Sequence, residues 1–185
     1  ANPRGEVFLF ADTFNRYFEP ENLRAALRVL AAAGYRAIMP LTKGRPLCCG
    51  RTFLSAGQVD RAREEAGRTM RRLAGDIPVI GLEPSCLMTL RDEFRSLLPG
   101  ADSAALAGRA MLLSEFLVKE KPDLKLREMP GTAHIHGHCH QKSFGAFPDA
   151  VAALGLIPRL NVKPITSSCC GMAGAFGFEA RHHTV

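Results

Sequence analysis

No stretch of this 185-residue chain approaches the ~20 consecutive apolar residues of a membrane-spanning helix, and no secretory leader pattern stands at Ala1. A transmembrane reading is therefore set aside. Lysine is scarce, with six against eighteen arginines. The arginines are interspersed with glutamates, as in the run from Arg61 to Glu65, which reads as solvated helix faces and not as a nucleic-acid stripe. The net charge of +6 still favours an acidic partner surface. No C-x-x-C pair is present, which weighs against a thiol–disulfide enzyme. The chain is not short of apolar residues: at 46% it can bury a core without disulfide staples. Six cysteines could form three bridges, but adjacent cysteines cannot bridge each other without strain. The expectation is metal-binding or redox thiols in a reducing cytoplasm.

Four of those cysteines lie in two matching triplets, Cys48-Cys49-Gly50 and Cys169-Cys170-Gly171. The other two, Cys86 and Cys139, each stand where a strand-like run ends. Such a pairing reads as a duplicated site.

Along the chain, apolar runs at Val7–Phe10, Tyr35–Met39 and Pro78–Leu82 predict buried strands. Helical spacing predicts helices over 19–33, 58–73, 87–98 and a further one through Leu106, Ala110, Leu113 and Leu117. On the second of these, Val59, Ala62, Ala66, Met70 and Leu73 are expected to face inward. Residues 133–139 then predict a strand, 148–154 a helix and 156–165 an extended segment. Strands alternating with helices give an α/β fold: two pseudo-symmetric Rossmann-like halves, each a parallel sheet flanked by helices. The counting supports a repeat, because Gly34 precedes Cys48 by 14 positions and Gly155 precedes Cys169 by 14. Upstream, Asp12 lies 36 positions before Cys48, and Cys139 lies 30 before Cys169, so the second copy needs a shorter helix. The expected division is 1–118, a connection at 119–132, and 133–185 as an incomplete second half, the whole being a fragment of a longer protein.

Loops at the carboxyl ends of parallel strands form the sites of such folds. There Asp12, Cys48, Cys49, Glu83 and Cys86 are expected to converge, and three thiolates with carboxylates can hold zinc. An iron–sulfur cluster usually takes four cysteines, which this half lacks. The second half offers Cys139, Cys169 and Cys170, with His138, His140 and His182 as further ligand candidates. His134, His136, His138 and His140 alternate, and on a strand they share the face opposite Cys139.

These triplets and spacings resemble the cysteine-rich CCG domain family, which includes a component of heterodisulfide reductase and the iron–sulfur components of glycolate oxidation systems. The 36 residues between Cys49 and Cys86 fit its pattern. The segments Asp12-Thr13-Phe14, Gly81 to Cys86, Gly137 to Lys142 and Cys169 to Gly174 are most similar to the C-terminal CCG region of FAD-linked D-2-hydroxyacid oxidoreductases. Asp12 and Glu83 stand where that family has cysteines.

The resemblance implies a cytoplasmic electron-transfer domain of a flavoprotein of glycolate, D-lactate or D-2-hydroxyglutarate type. Its cofactor would be an iron–sulfur cluster or zinc, with FAD elsewhere in the full-length protein. Its partners would be a flavin domain and a ferredoxin-like iron–sulfur region of the same or an associated chain. The fragment alone would not be catalytic, and the resemblance assigns no catalytic residues within it. The alternative is a zinc-braced or metal-free interaction module.

Overall fold

The computed structural model describes residues 3–40, 42, 44–167, 170–172 and 179–182. The chain divides into two compact units, Ala1–Lys125 and Leu126–Val185.

The first unit is built on four strands, β1 (Gly5–Leu9), β2 (Tyr35–Ile38), β3 (Val79–Gly81) and β4 (Ala110–Leu112). All neighbours run parallel, in the order β2-β1-β3-β4. Each crossover is helical. α1 (Thr13–Tyr17) and α2 (Pro20–Ala32) follow β1, while α3 (Arg51–Ser55) and α4 (Val59–Arg72) follow β2. After β3 come α5 (Pro84–Arg91), α6 (Glu93–Leu97) and α7 (Ala101–Arg109), and α8 (Leu113–Glu120) follows β4. Val7 and Leu9 alternate onto one face of the sheet, where they meet Leu23, Ala26 and Leu30 of α2 and Phe116 of α8. All six are buried, and a Leu or Phe fully removed from water contributes about 1.5–3 kcal/mol.

The chain passes from β1 outward to β2, then back across to β3. The strand order therefore reverses between β1 and β3, the topological switch point where α/β sheets place their sites. The segments leaving β1, β2 and β3 carry Asp12, Cys48-Cys49 and Glu83-Cys86 respectively.

The second unit pairs β5 (Gly131–Ile135) with β6 (Leu160–Pro164), again parallel. Between them lie α9 (Cys139–Ser143) and α10 (Phe147–Leu154). The order strand, five-residue helix, longer helix, strand thus occurs in both units. α10 has 8 residues where α2 has 13, which accounts for most of the shorter spacing.

Three expectations need correction. The pattern through Leu106, Ala110, Leu113 and Leu117 is two helices with β4 between them. A three-residue strand is too short to disturb helical spacing, and tertiary contacts decide it: Ala110 pairs with Val79, and Arg109 donates to the Ile77 carbonyl. The helix expected over 87–98 begins earlier, at Pro84, and divides at Asp92 into α5 and α6. Val59 is exposed at the start of α4, whose buried residues are Ala62, Glu65, Ala66 and Thr69. Among the described residues, no helix is long and apolar enough to cross a membrane.

Candidate functional site

At the switch point three thiols stand in a row. Cys49 Sγ lies 3.3 Å from Cys86 Sγ, both residues being buried. Cys48 is half-buried and shares a side-chain hydrogen bond with Cys49. Gly50 makes the tight turn that follows, at φ +80°, and its amide donates to Cys48 Sγ at 3.4 Å. A side chain here would be strained, and its Cβ would sit 3.0 Å from the Ala62 carbonyl and 3.2 Å from Glu65 Cβ.

The loop that delivers these cysteines is held by α4. Glu65 is 1% exposed and pairs with both Arg45 and Arg68. Arg68 also donates to the carbonyls of Arg45 and Pro46, and the Thr69 hydroxyl donates to the Cys48 carbonyl at 2.8 Å. A buried carboxylate survives only where donors surround it. Glu65, Arg68 and Thr69 are the site residues that sequence reasoning missed. Their signal was present but misread: a glutamate amid the arginines of α4 looks like one more solvated charge.

The two carboxylates at this edge work as helix caps. Asp12 is buried at the N-cap of α1, where it accepts from the Asn15 amide at 3.0 Å and from Asn15 Nδ2 at 2.7 Å. Glu83 is the N-cap of α5 and accepts from the amides of Ser85 and Cys86 and from the Ser85 hydroxyl. Such caps are typically worth ~1 kcal/mol. Among the described residues, no three His, Cys, Asp or Glu side chains gather as a metal ion requires. Asp12 and Glu83 are both engaged at helix N-termini.

The electrostatics favour neutral sulfur. The Cys48 thiol is pushed up by its hydrogen bond with Cys49 and by burial. For Cys49 the hydrogen bond with Cys48 pulls down, but that with Cys86, together with burial, outweighs it. For Cys86 the hydrogen bond with Cys49 also pulls down, but burial and the nearby carboxylates of Glu83 and Asp12 push up further. The N-terminus of α5 alone would favour a Cys86 thiolate, and burial together with the two carboxylates reverses that preference.

Glu83 itself shows the opposite balance. Burial pushes its carboxyl up, but the hydrogen bonds from Ser85 and Cys86 more than offset this and hold it below the usual carboxylate range. A depressed folded-state value means that the cap stabilises the fold above the ordinary glutamate range and is lost as pH falls through the lowered value. Glu83→Gln is expected to lower stability by about 1 kcal/mol at pH 7, with the gap to the parent closing toward pH 3. Urea melts of both proteins across that range check it.

In the second unit the histidine alternation does not lie on a strand. β5 ends at Ile135, so only His134 is in it, and β5 stops before Cys139. His138 is the N-cap of α9, while Cys139 and His140 begin that helix, with the His138 and His140 rings stacked 5.1 Å apart. The local reason is a capping arrangement: His138 Nδ1 accepts from the His140 amide, and Gln141 Oε1 from the His138 amide. By element order His138, not Cys139, corresponds to Asp12. His136 Nε2 lies 2.9 Å from Ser167 Oγ, and Lys142 Nζ donates to the Ser167 carbonyl at 2.7 Å. These contacts hold the approach to the second triplet. Cys139 and Cys170 are exposed, and His182 lies in a short 3-10 turn. Cys169 lies outside the described residues, so its place beside Cys139 and Cys170 is not described.

The sequence has known relatives. The family model for the cysteine-rich CCG domain matches residues 12–91. One of the subunits of the anaerobic glycerol-3-phosphate dehydrogenase of Escherichia coli is 29% identical over 99% of this chain and 47% of its own length. A D-2-hydroxyglutarate dehydrogenase of Pseudomonas putida is 28% identical over 95% of this chain but 17% of its own. The lactate utilization protein A of Geobacillus kaustophilus is 27% identical, covering 94% of this chain and 75% of its own. The chain thus spans about half or less of the length of the first two.

Proposed function

We infer, from the match of residues 12–91 to the family model for the cysteine-rich CCG domain, that the chain is a redox domain of a larger oxidoreductase. The finer reading is an electron-transfer domain of an FAD-linked 2-hydroxyacid oxidoreductase. It serves a flavin domain, and a ferredoxin-like iron–sulfur region passes electrons onward. The observation that supports it most is the match, over 95% of the chain, to a D-2-hydroxyglutarate dehydrogenase of which it spans 17%. Relatives named for glycerol 3-phosphate and lactate make the exact substrate a matter for the flavin domain.

In this reading Cys139, Cys169 and Cys170 hold the metal centre in the intact protein, with His138, His140 or His182 completing it. Three thiols and an imidazole suit zinc or part of an iron–sulfur cluster. An iron–sulfur cluster held there would supply one-electron storage. The chain's own residues set its surroundings: His136 and Lys142 anchor the segment before Cys169-Cys170, and the His138 cap fixes where Cys139 starts its helix. Phe14, Tyr17 and Phe18, exposed on and beside α1, offer an apolar face of the kind that meets a neighbouring domain.

Metal analysis with EPR spectroscopy of the anaerobically prepared full-length protein tests this. The expected result is a signal that changes when the hydroxy acid is added. Metal-free protein with full electron transfer contradicts it. A second reading, a metal-free interaction module, draws on the first unit, where both carboxylates are engaged as caps. Colourless protein that transfers no electrons but still holds its flavin partner would support that reading instead.

A further inference from the structure

The function proposed above leaves the thiols of the first unit without a task. Cys49 and Cys86 come from different segments, the loop after β2 and the first turn of α5, 37 positions apart in sequence. Their sulfurs are nevertheless 3.3 Å apart, inside the protein. A disulfide holds its sulfurs at ~2.05 Å, so closure needs roughly 1.2 Å of approach. No C-x-x-C is required, because the sheet and not the local sequence brings the pair together.

The surroundings suit a disulfide better than a metal. Among the described residues, no three metal-ligating side chains gather here as a metal ion requires. The Asp12 and Glu83 carboxylates are both hydrogen-bonded to helix starts. A dithiol and a disulfide are both uncharged, so converting one into the other places no net charge in this buried site. Cys48, beside Cys49 and less buried, gives an incoming reagent its first thiol.

We propose that Cys49 and Cys86 form a reversible two-electron dithiol/disulfide couple, closed by exchange with a low-molecular-weight disulfide. In closure two S–H bonds break and one S–S bond forms between Cys49 and Cys86. The small-molecule disulfide is cleaved in turn, taking up the two electrons and two protons and leaving as two thiols. The bridge ties the first triplet to α5 and so joins the crossovers after β2 and β3. By restricting the unfolded chain, it raises the melting temperature of the oxidised protein by roughly 5–15 °C.

The test uses the full chain, anaerobic, equilibrated with mixtures of glutathione and glutathione disulfide, then acid-quenched, alkylated and mapped by mass spectrometry. The expected result is that Cys49 and Cys86 lose alkylation together in one two-electron transition. The cross-linked peptide should be lighter by two hydrogens, and dithiothreitol should restore both thiols. The melting shift should vanish in Cys86→Ser and persist in Cys48→Ser. Full alkylation of both thiols at every ratio overturns the proposal, as does glutathione attached to Cys48 alone. Zinc or iron that protects both thiols and is lost in Cys86→Ser overturns it as well. The couple is independent of the second triplet, so an iron–sulfur signal there with an open Cys49/Cys86 pair contradicts this proposal alone.

Discussion

Arg68→Ala is expected to cost about 2–3 kcal/mol and to free the loop that carries the first triplet. Removing one partner of a buried ion pair typically costs about 3–5 kcal/mol, because the remaining charge stays buried without compensation. Here the remaining charge is Glu65, 1% exposed. The lower figure reflects Arg45, which still pairs with Glu65, and the partial exposure of Arg68 itself, at 25%. The variant also loses the donors to the Arg45 and Pro46 carbonyls. A melting temperature lower by roughly 5–10 °C is the stability readout. The site readout is Cys48, which should alkylate several-fold faster once residues 45–48 are unpinned. Arg68→Lys keeps the charge but not the planar fork, so it should recover only part of the loss. An unchanged Cys48 rate in a folded Arg68→Ala protein would show that α4 does not position the thiols.

Gly50→Ala should be as damaging, and for a reason that distinguishes the two triplets. A left-handed backbone conformation costs a residue with a Cβ about 1–2 kcal/mol, and overpacking against fixed neighbours adds about 1–3. Gly50 meets both, because its Cβ would press on the Ala62 carbonyl and Glu65 Cβ. Gly171 has the same handedness, at φ +88°, but among the described residues no atom lies within 4 Å of where its Cβ would be. The expected losses are therefore about 2–4 kcal/mol for Gly50→Ala and about 1–2 for Gly171→Ala, measured by chemical denaturation. Equal losses would show that only backbone conformation matters. A larger loss at Gly171 would show that the second triplet is the more tightly packed.

The fold was largely legible because its strands are short apolar runs set off by helices with strong periodicity. β1, β2 and β3 fall where Val7–Phe10, Tyr35–Met39 and Pro78–Leu82 suggest, and the parallel sheets follow from the alternation. β4 was hidden because Ala110 and Leu113 keep helical spacing with Leu106, and only pairing with β3 identifies the strand. The site was legible as a set of residue types but not as an arrangement. Spacing brings Cys49 and Cys86 to the same sheet edge, yet nothing in it reveals that the sulfurs touch while Asp12 and Glu83, beside them, cap helices. The histidine alternation misled because period two is also what a strand end followed by a helix start can produce. Only the capping contact of His138 resolves it.

The central claim is a division of labour: a metal centre at the second triplet and a metal-free dithiol at the first. The most direct measurement is the iron, sulfide and zinc content of anaerobically purified full-length protein, compared between Cys49→Ser/Cys86→Ser and Cys139→Ser/Cys170→Ser. The division predicts that the first pair of substitutions leaves this centre in place and that the second pair abolishes it. Loss of metal from the Cys49→Ser/Cys86→Ser protein, with retention in Cys139→Ser/Cys170→Ser, would contradict the claim.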